Sequence, residues 1–442
     1  MVSLGGKIWA AVTGLALLLA AAGGGYYAYR TLDSRTEADI VISGKDEGRV
    51  VTRRSKVDLP GAGGEVVVKE EVSSGTEDLA ISPEEADKID LPFAAEYFAQ
   101  RLTKDEETVC RQIYKGITDF EETIYIKNDV VSSNDICELI VMVVTGSPEI
   151  DYIDTNYSVQ VDSDGFASAI FMTYTRSAED CEVRHMLTEQ AIDRISENMA
   201  TDWSDFQKYR YIHDALVNNC YYYESDGDCY TAYGCLVGGN AVCEGYSKAL
   251  MLVCDRAGIP CLPVIGQGVN EDGSVQGHIW NKVMLNGEWY ASDITWDDPV
   301  FESAENYLRY DYFSVTDEEM SRNHVQDDNK FITEPACAAT ECDYYRYYGY
   351  FAETSDDAEE AFRNAVRDAM ANGDEYARVK CADVLCFNEV LNWVFGDGTG
   401  NEELFGMIKQ GIADNPDFGY KASGYSVINN AVTYNISIRL KK

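Results

Sequence analysis

A thiol, an imidazole and a carboxylate occur in this chain in settings that favour reaction. Cys243 opens a segment in which Tyr246, Ala249, Leu250, Val253 and Cys254 repeat at i, i+3, i+4, i+7 and i+8, the spacing of one helix face. Gly258 stands where a glycine just past a helix end belongs. The thiol is therefore expected at a helix N-terminus, where free N–H groups and the helix dipole favour the reactive thiolate. Gly238 and Gly239, just upstream, allow close backbone approach.

His278 begins the segment His278-Ile279-Trp280-Asn281-Lys282-Val283-Met284-Leu285. Asn286-Gly287, the strongest short hairpin signal, follows it, and Glu288 to Asp293 form the return strand. A two-residue loop pairs Leu285 with Glu288, so Trp280 faces Asp293 and His278 faces Thr295. His278 and Asp293 are then diagonal neighbours on one face, with Cβ atoms ~7 Å apart or a little less. An imidazole–carboxylate hydrogen bond spans that gap.

Such a set performs nucleophilic acyl transfer. The thiolate attacks an amide carbonyl, the histidine takes the thiol proton and returns it to the leaving amine, and the aspartate fixes the ring tautomer. Taken singly, each residue has an ordinary explanation: an inert buried cysteine, a half-buried strand histidine, a turn aspartate. Their joint placement favours chemistry. The Cys243 backbone N–H is expected to supply one oxyanion donor, and Tyr233 and Asn240 are candidates for the second. Trp280 and Trp296 either wall a cleft or fill the sheet core. Asn281 alternates to the opposite face, where a structural role fits. Asp297-Asp298 either ligates a cation or is simply solvated. Tyr344 to Tyr348 reads as a strand with tyrosines on both faces rather than a stacking platform.

Ala232-Tyr233-Gly234 followed by Val242-Cys243-Glu244-Gly245-Tyr246-Ser247-Lys248-Ala249 resembles the nucleophile segment of bacterial transglutaminase-like domains. Gly277 to Val283 resembles their histidine strand, and Trp289 to Pro299 their aspartate strand and following loop. Tyr312-Phe313-Ser314-Val315 and His324 are similar to the usual tail. The resemblance spans about residues 205 to 325. It implies a papain-like arrangement, the Cys helix packed on an antiparallel sheet. It also implies a thiol enzyme acting on protein or peptide amides through a thioester, by hydrolysis or amine transfer. The family also holds inactive binding versions, the alternative reading. Animal cross-linking enzymes usually carry Trp after the nucleophile where this chain has Glu244, and no calcium-site pattern is evident.

These residues need a scaffold, and the 442-residue length predicts several domains. Residues 1–30 form a signal anchor or signal peptide, 31–91 an acidic flexible tether, and 92–200 an accessory α+β region. Residues 201–330 form the catalytic domain and 337–442 a C-terminal α+β domain. In the last, Val384 to Phe395 and Glu402 to Ile412 are predicted helices, and a closing hairpin turns at Asn429-Asn430.

The formal net charge is −40, which excludes a nucleic-acid partner, since phosphate binding needs cationic counterion replacement. It also disfavours docking on anionic lipid. No CxxC or HExxH occurs, and the four histidines are scattered, so no metal or cofactor is expected. Thirteen cysteines would suit one free thiol plus disulfides outside the cytosol.

Membrane contact is expected only through the N-terminal apolar run. From Ile8 to Tyr29 the uncharged stretch approaches the ~20 residues of a spanning helix. Tyr26, Tyr27 and Tyr29 beside Arg30 resemble an interfacial belt. Ala20-Ala21-Ala22 equally offers a cleavage site. Either way the rest of the chain faces the extracytoplasmic side. Protease added to intact cells should then release the globular part by cutting in the acidic stretch. Release only after lysis would refute that topology, and a mature N-terminus at Gly23 would refute the anchor.

Overall fold

The computed structural model describes residues 53–59, 62–68, 80–298, 308–396 and 400–441, apart from 155, 163, 226, 271, 422 and 423. The N-terminal apolar run lies outside the described residues. Among the described residues no helix is long and apolar enough to cross a membrane. The fold is α+β, in two units. Among the described residues, one unit holds those up to Trp203, then Lys208–Asn281 and His324–Glu334; the other holds Ser204–Gln207 and the described residues of 282–323 and 335–441.

Within the first unit, part of the expected tether is strand. β1 (Arg53–Leu59) pairs antiparallel with β2 (Ala62–Val68). β-branched Val66-Val67-Val68 favours extension, a signal that the surrounding charge obscures. Helix α1 (Pro83–Ala86) starts at a Ser82–Glu85 capping box, in which each side chain satisfies an orphan N–H of the other end. Helices α2 (Phe93–Ala99), α3 (Lys104–Thr118) and α4 (Ile136–Thr145) follow. α3 is amphipathic, and α4 is apolar nearly all round and almost wholly buried.

Strands β3 (Thr123–Tyr125), β4 (Ser158–Val161) and β5 (Ala167–Phe171) form a sheet in the order β3-β5-β4. The β4–β5 connection is the expected Asp-rich turn. Asp162 Oδ1 accepts from the Asp164 N–H at 2.9 Å, and Gly165 takes φ +90°. Helix α5 (Ala178–Ser196) contains the helix expected from Met186 to Ile195.

Helix α6 (Asp205–Asn219) leads to a short parallel pair, β6 (Tyr221–Tyr222) and β7 (Asn240–Ala241). A π-helical turn occupies Gly234–Gly238. Then comes α7 (Cys243–Ala257), closed by Gly258 at φ +73°. Every residue of its predicted apolar face, from Tyr246 to Cys254, is buried. α7 packs on β8 (Cys261–Val269). β8 lies between β9 (Val275–Leu285) and β11 (His324–Gln326). The Cys helix therefore rests on an antiparallel sheet, as the resemblance implied.

In the second unit, the far end of β9 turns into β10 (Glu288–Ser292). Asn286 and Gly287 adopt φ +53° and +87°, the two positive values that a type I′ turn requires. After α8 (Asp317–Met320) comes α9 (Tyr344–Tyr348). The predicted tyrosine strand is thus a short helix. Asp343 caps it by accepting from the Arg346 N–H, and Gly349 ends it at φ +71°, so local capping overrides strand propensity.

β12 (Phe351–Ala352), β13 (Tyr376–Cys381), β14 (Tyr425–Asn430) and β15 (Asn435–Leu440) form a sheet in the order β12-β13-β15-β14. Helices α10 (Ala358–Asn372), α11 (Val384–Phe395) and α12 (Glu402–Asp414) accompany it. The closing hairpin turns later than predicted, over residues 431–434. Asn430 stays in the strand, and its side chain starts the turn by accepting from the Val432 and Thr433 N–H groups.

The expected disulfides do not occur. All thirteen cysteines are free thiols, and all but Cys181 are buried. Apart from Cys181 and Cys243, they act as small apolar core residues.

Gly266 on β8 shows how tightly the sheet is built. A Cβ there would lie 2.2 Å from the Val325 carbonyl oxygen and 2.7 Å from the Trp280 ring. Gly266→Ala should therefore cost about 1–3 kcal/mol by overpacking. The check is chemical denaturation, where an unchanged midpoint would contradict the close approach.

Candidate active site

Cys243 is the first residue of α7 and is 8% exposed. Its position follows from the backbone before it. Val242 is extended and has no capping side chain, which leaves the first-turn N–H groups of α7 without a side-chain cap. The Val242 N–H bonds the Cys229 carbonyl at 2.9 Å. Gly245 sits against the same segment: a Cβ there would meet the Cys229 and Thr231 carbonyl oxygens at 2.6 and 2.9 Å. At Gly234 a Cβ would lie closer still, 2.0 Å from the Asp228 carbonyl oxygen. These two glycines seat the nucleophile's turn against residues 228–231.

Glu244 follows the thiol in the first turn and pairs with Lys248 at 2.7 Å. Its charge suits the positive end of the helix dipole. Tyr230, which sequence reasoning passed over, lies close enough to Cys243 for their charges to interact. Burial and the adjacent Glu224 push its phenol up, and it donates to Glu224 Oε1 at 2.8 Å.

His278 lies on β9 and is 1% exposed. Its ring stands 6.0 Å from Trp280 and 5.4 Å from His324, and Trp280 meets His324 edge to face at 4.9 Å. β11 brings His324 in by pairing it with Gly268 on β8. Trp280 is 4% exposed, so of its two readings the sheet-core one describes its place. The packing role of His324 was not legible beforehand, because it depends on a strand 46 residues downstream finding β8.

Asp293 stands one residue beyond the end of β10, in the second unit, and is 1% exposed. Its Oδ1 accepts from the Thr295 and Trp296 N–H groups at 3.0 and 3.2 Å. Its own N–H bonds the Tyr312 carbonyl at 3.2 Å. Nearby, buried Asp297 accepts from the Tyr312 N–H at 3.0 Å, so this carboxylate anchors backbone rather than facing solvent. Trp296 is half-buried and packs edge to face on Tyr312 at 5.5 Å. Burial pushes the Tyr312 phenol up.

The two oxyanion candidates have other engagements. Asn240 Nδ2 donates to Ser225 Oγ at 2.8 Å, which ties it to the preceding loop. Tyr233 lies beneath the Arg184 guanidinium, 3.8 Å from the ring centre. It lines a cavity of about 290 Å³ with Tyr152, Glu149 and Arg184. Asn281 is buried on β9.

Residues 193–294 match the family model of the Transglutaminase-like superfamily. No curated protein matches. Among solved structures, the chain is similar to a TGase at 14% identity and a TM-score of 0.23, covering 36% of this chain and 47% of that one. It is also similar to a proposed cysteine protease from Cytophaga hutchinsonii at 13% identity and 0.20, covering 29% and 51%. A proposed protease from Parabacteroides distasonis gives 13% and 0.18, covering 28% of each. The chain spans about half the length of the first two and just over a quarter of the third. The matched family is one of cysteine-dependent peptidases and acyltransferases. The stretch it matches contains Cys243, His278 and Asp293, and the chain is a transglutaminase-like domain protein.

Proposed function

We propose that this protein is an extracytoplasmic thiol enzyme that acts on protein or peptide amides through a thioester. Cys243 is the nucleophile, His278 the general base and acid, and Asp293 the group that orients the imidazole. The observation that carries this reading is the seat of Cys243, a thiol opening a helix whose first turn has no side-chain cap, packed on the sheet that holds His278. The uncapped N–H groups are suited to an oxyanion. His278 and Asp293 belong to the two arms of one hairpin, which supports their pairing. Hydrolysis or attack by an amine then resolves the thioester.

Two of the other thiols differ in setting. Burial pushes Cys110 and Cys337 up to about 12. Iodoacetamide at limiting concentration and mildly acidic pH should therefore modify Cys243 first, as peptide mapping would read. Preferential alkylation of another cysteine counts against the assignment. Cys243→Ala should abolish turnover of a peptide library, with or without a primary amine, while the circular dichroism spectrum is kept.

Asp293→Asn provides a separate test. The amide oxygen can still accept from the Thr295 and Trp296 N–H groups, so folding should survive. The rate should fall steeply, by up to about 10⁴-fold, because the amide favours the wrong histidine tautomer. Near-normal turnover in a folded Asp293→Asn variant would leave at most a Cys243–His278 dyad.

A further inference from the structure

Away from the thiol site, the second unit buries a lysine with two carboxyl groups. Lys380 lies on β13, inside the sheet, and is 1% exposed. Its Nζ stands 3.3 Å from Asp343 Oδ2 and 3.2 Å from Glu319 Oε1. Asp343 is also 1% exposed. The Tyr345 ring, fully buried, closes one side at 5.9 Å. A third carboxylate, Asp311, is buried close by, but its two oxygens accept from Tyr345 Oη at 2.9 Å and Thr433 Oγ1 at 3.0 Å.

The protons in this group are unevenly shared. One ammonium among several carboxylates in a water-poor site leaves net negative charge, which burial penalises. Burial pushes the Asp343 carboxyl up. It acts on Glu319 in the same sense, but the Lys380 charge and the Thr316 N–H outweigh it and hold that carboxyl down. Of the two, Asp343 is the carboxyl whose protonated form burial favours, and Glu319 the one held as carboxylate, while both carboxyl groups favour the Lys380 ammonium.

The atoms of Asp343 are placed as an acyl donor's should be. Oδ1 accepts from the Arg346 N–H at 3.0 Å, at the start of α9, which polarises the C=O bond. Oδ2 faces the amine. Glu319 is held in turn, since its Oε2 accepts from the Thr316 N–H at 3.2 Å and leaves Oε1 on Lys380. Lys380 Nζ and Asp343 Oδ2 are in contact at 3.3 Å, which holds the amine beside the carboxyl it would attack.

We propose that Lys380 and Asp343 form an intramolecular isopeptide bond, with Glu319 as the proton carrier. Glu319 takes a proton from the Lys380 ammonium. The freed amine attacks Asp343 Cγ, forming a C–N bond, and negative charge collects on Oδ1 against the Arg346 N–H. Glu319 returns the proton to Oδ2, the Cγ–Oδ2 bond breaks, and one water leaves. The nitrogen's remaining extra proton passes through Glu319 to solvent. No oxidant or cofactor is consumed. The bond closes the chain between α9 and β13 and restricts the unfolded state as other covalent cross-links do.

Mass spectrometry of the purified, reduced full chain tests this. The protein should be lighter than its sequence by one water. Trypsin should fail to cut after Lys380 and should yield one branched peptide joining it to Asp343. Glu319→Gln should restore the full mass and lower the thermal midpoint. Cys243→Ala should retain the bond, because the thiol site takes no part. Full mass in the unsubstituted protein, with normal cleavage after Lys380, overturns the proposal. Bond formation undiminished in Glu319→Gln overturns the assigned triad.

Discussion

The contact between the first turn of α7 and the backbone of residues 228–231 governs the arrangement around the thiol. A helix N-terminus buried without a side-chain cap is costly, because its N–H groups lose water without gaining partners. The chain accepts that arrangement at Cys243 and holds it with backbone. The Val242 N–H reaches the Cys229 carbonyl, and Gly245 allows an approach that any Cβ would prevent. Gly234 lets the preceding π-helical turn close on Asp228 in the same way. Glycine here provides proximity rather than flexibility: Gly234 and Gly245 both lie in helical turns. A thiol in this position keeps access to N–H groups that an ordinary helix would cap or expose to solvent.

The sheet beneath α7 applies the same logic with rings. His278, Trp280 and His324 pack on one another, and Gly266 makes room for the indole. A histidine fixed among rings has few rotamers to choose from. The acidic exterior has a different role. A net charge of −40 opposes approach to polyanions and says little about the site. Charges close to the thiol are matched, as Glu244 and Lys248 illustrate.

The second unit packs buried polar groups as well as apolar ones. Asp311 ties Tyr345 to Thr433 near the closing hairpin, and Phe206 stacks on Tyr347 at 3.6 Å. Fully partnered networks of this kind specify one arrangement, because every alternative packing strands a polar atom.

By itself the sequence determined the features that depend on near neighbours. The face of α7 from Tyr246 to Cys254, its glycine stop, the Asn286-Gly287 turn and the Asp162–Gly165 turn all follow from periodicity and local stereochemistry. The transglutaminase-like reading rests instead on a resemblance to a known family, carried by three ordered motifs. Local signals failed where two of them competed. Tyrosine-rich 344–348 has strand propensity, yet the Asp343 cap and Gly349 make it a helix. Asn430 looked like a turn residue, and it is one, but through its side chain from within the strand. Only the tertiary structure decided what depends on distant segments meeting: His324 beside His278, the carbonyls against Gly245, and Lys380 between Asp343 and Glu319. Such contacts join residues tens of positions apart, and no spacing rule encodes them, because they are fixed by close packing and by the cost of burying charge without a partner.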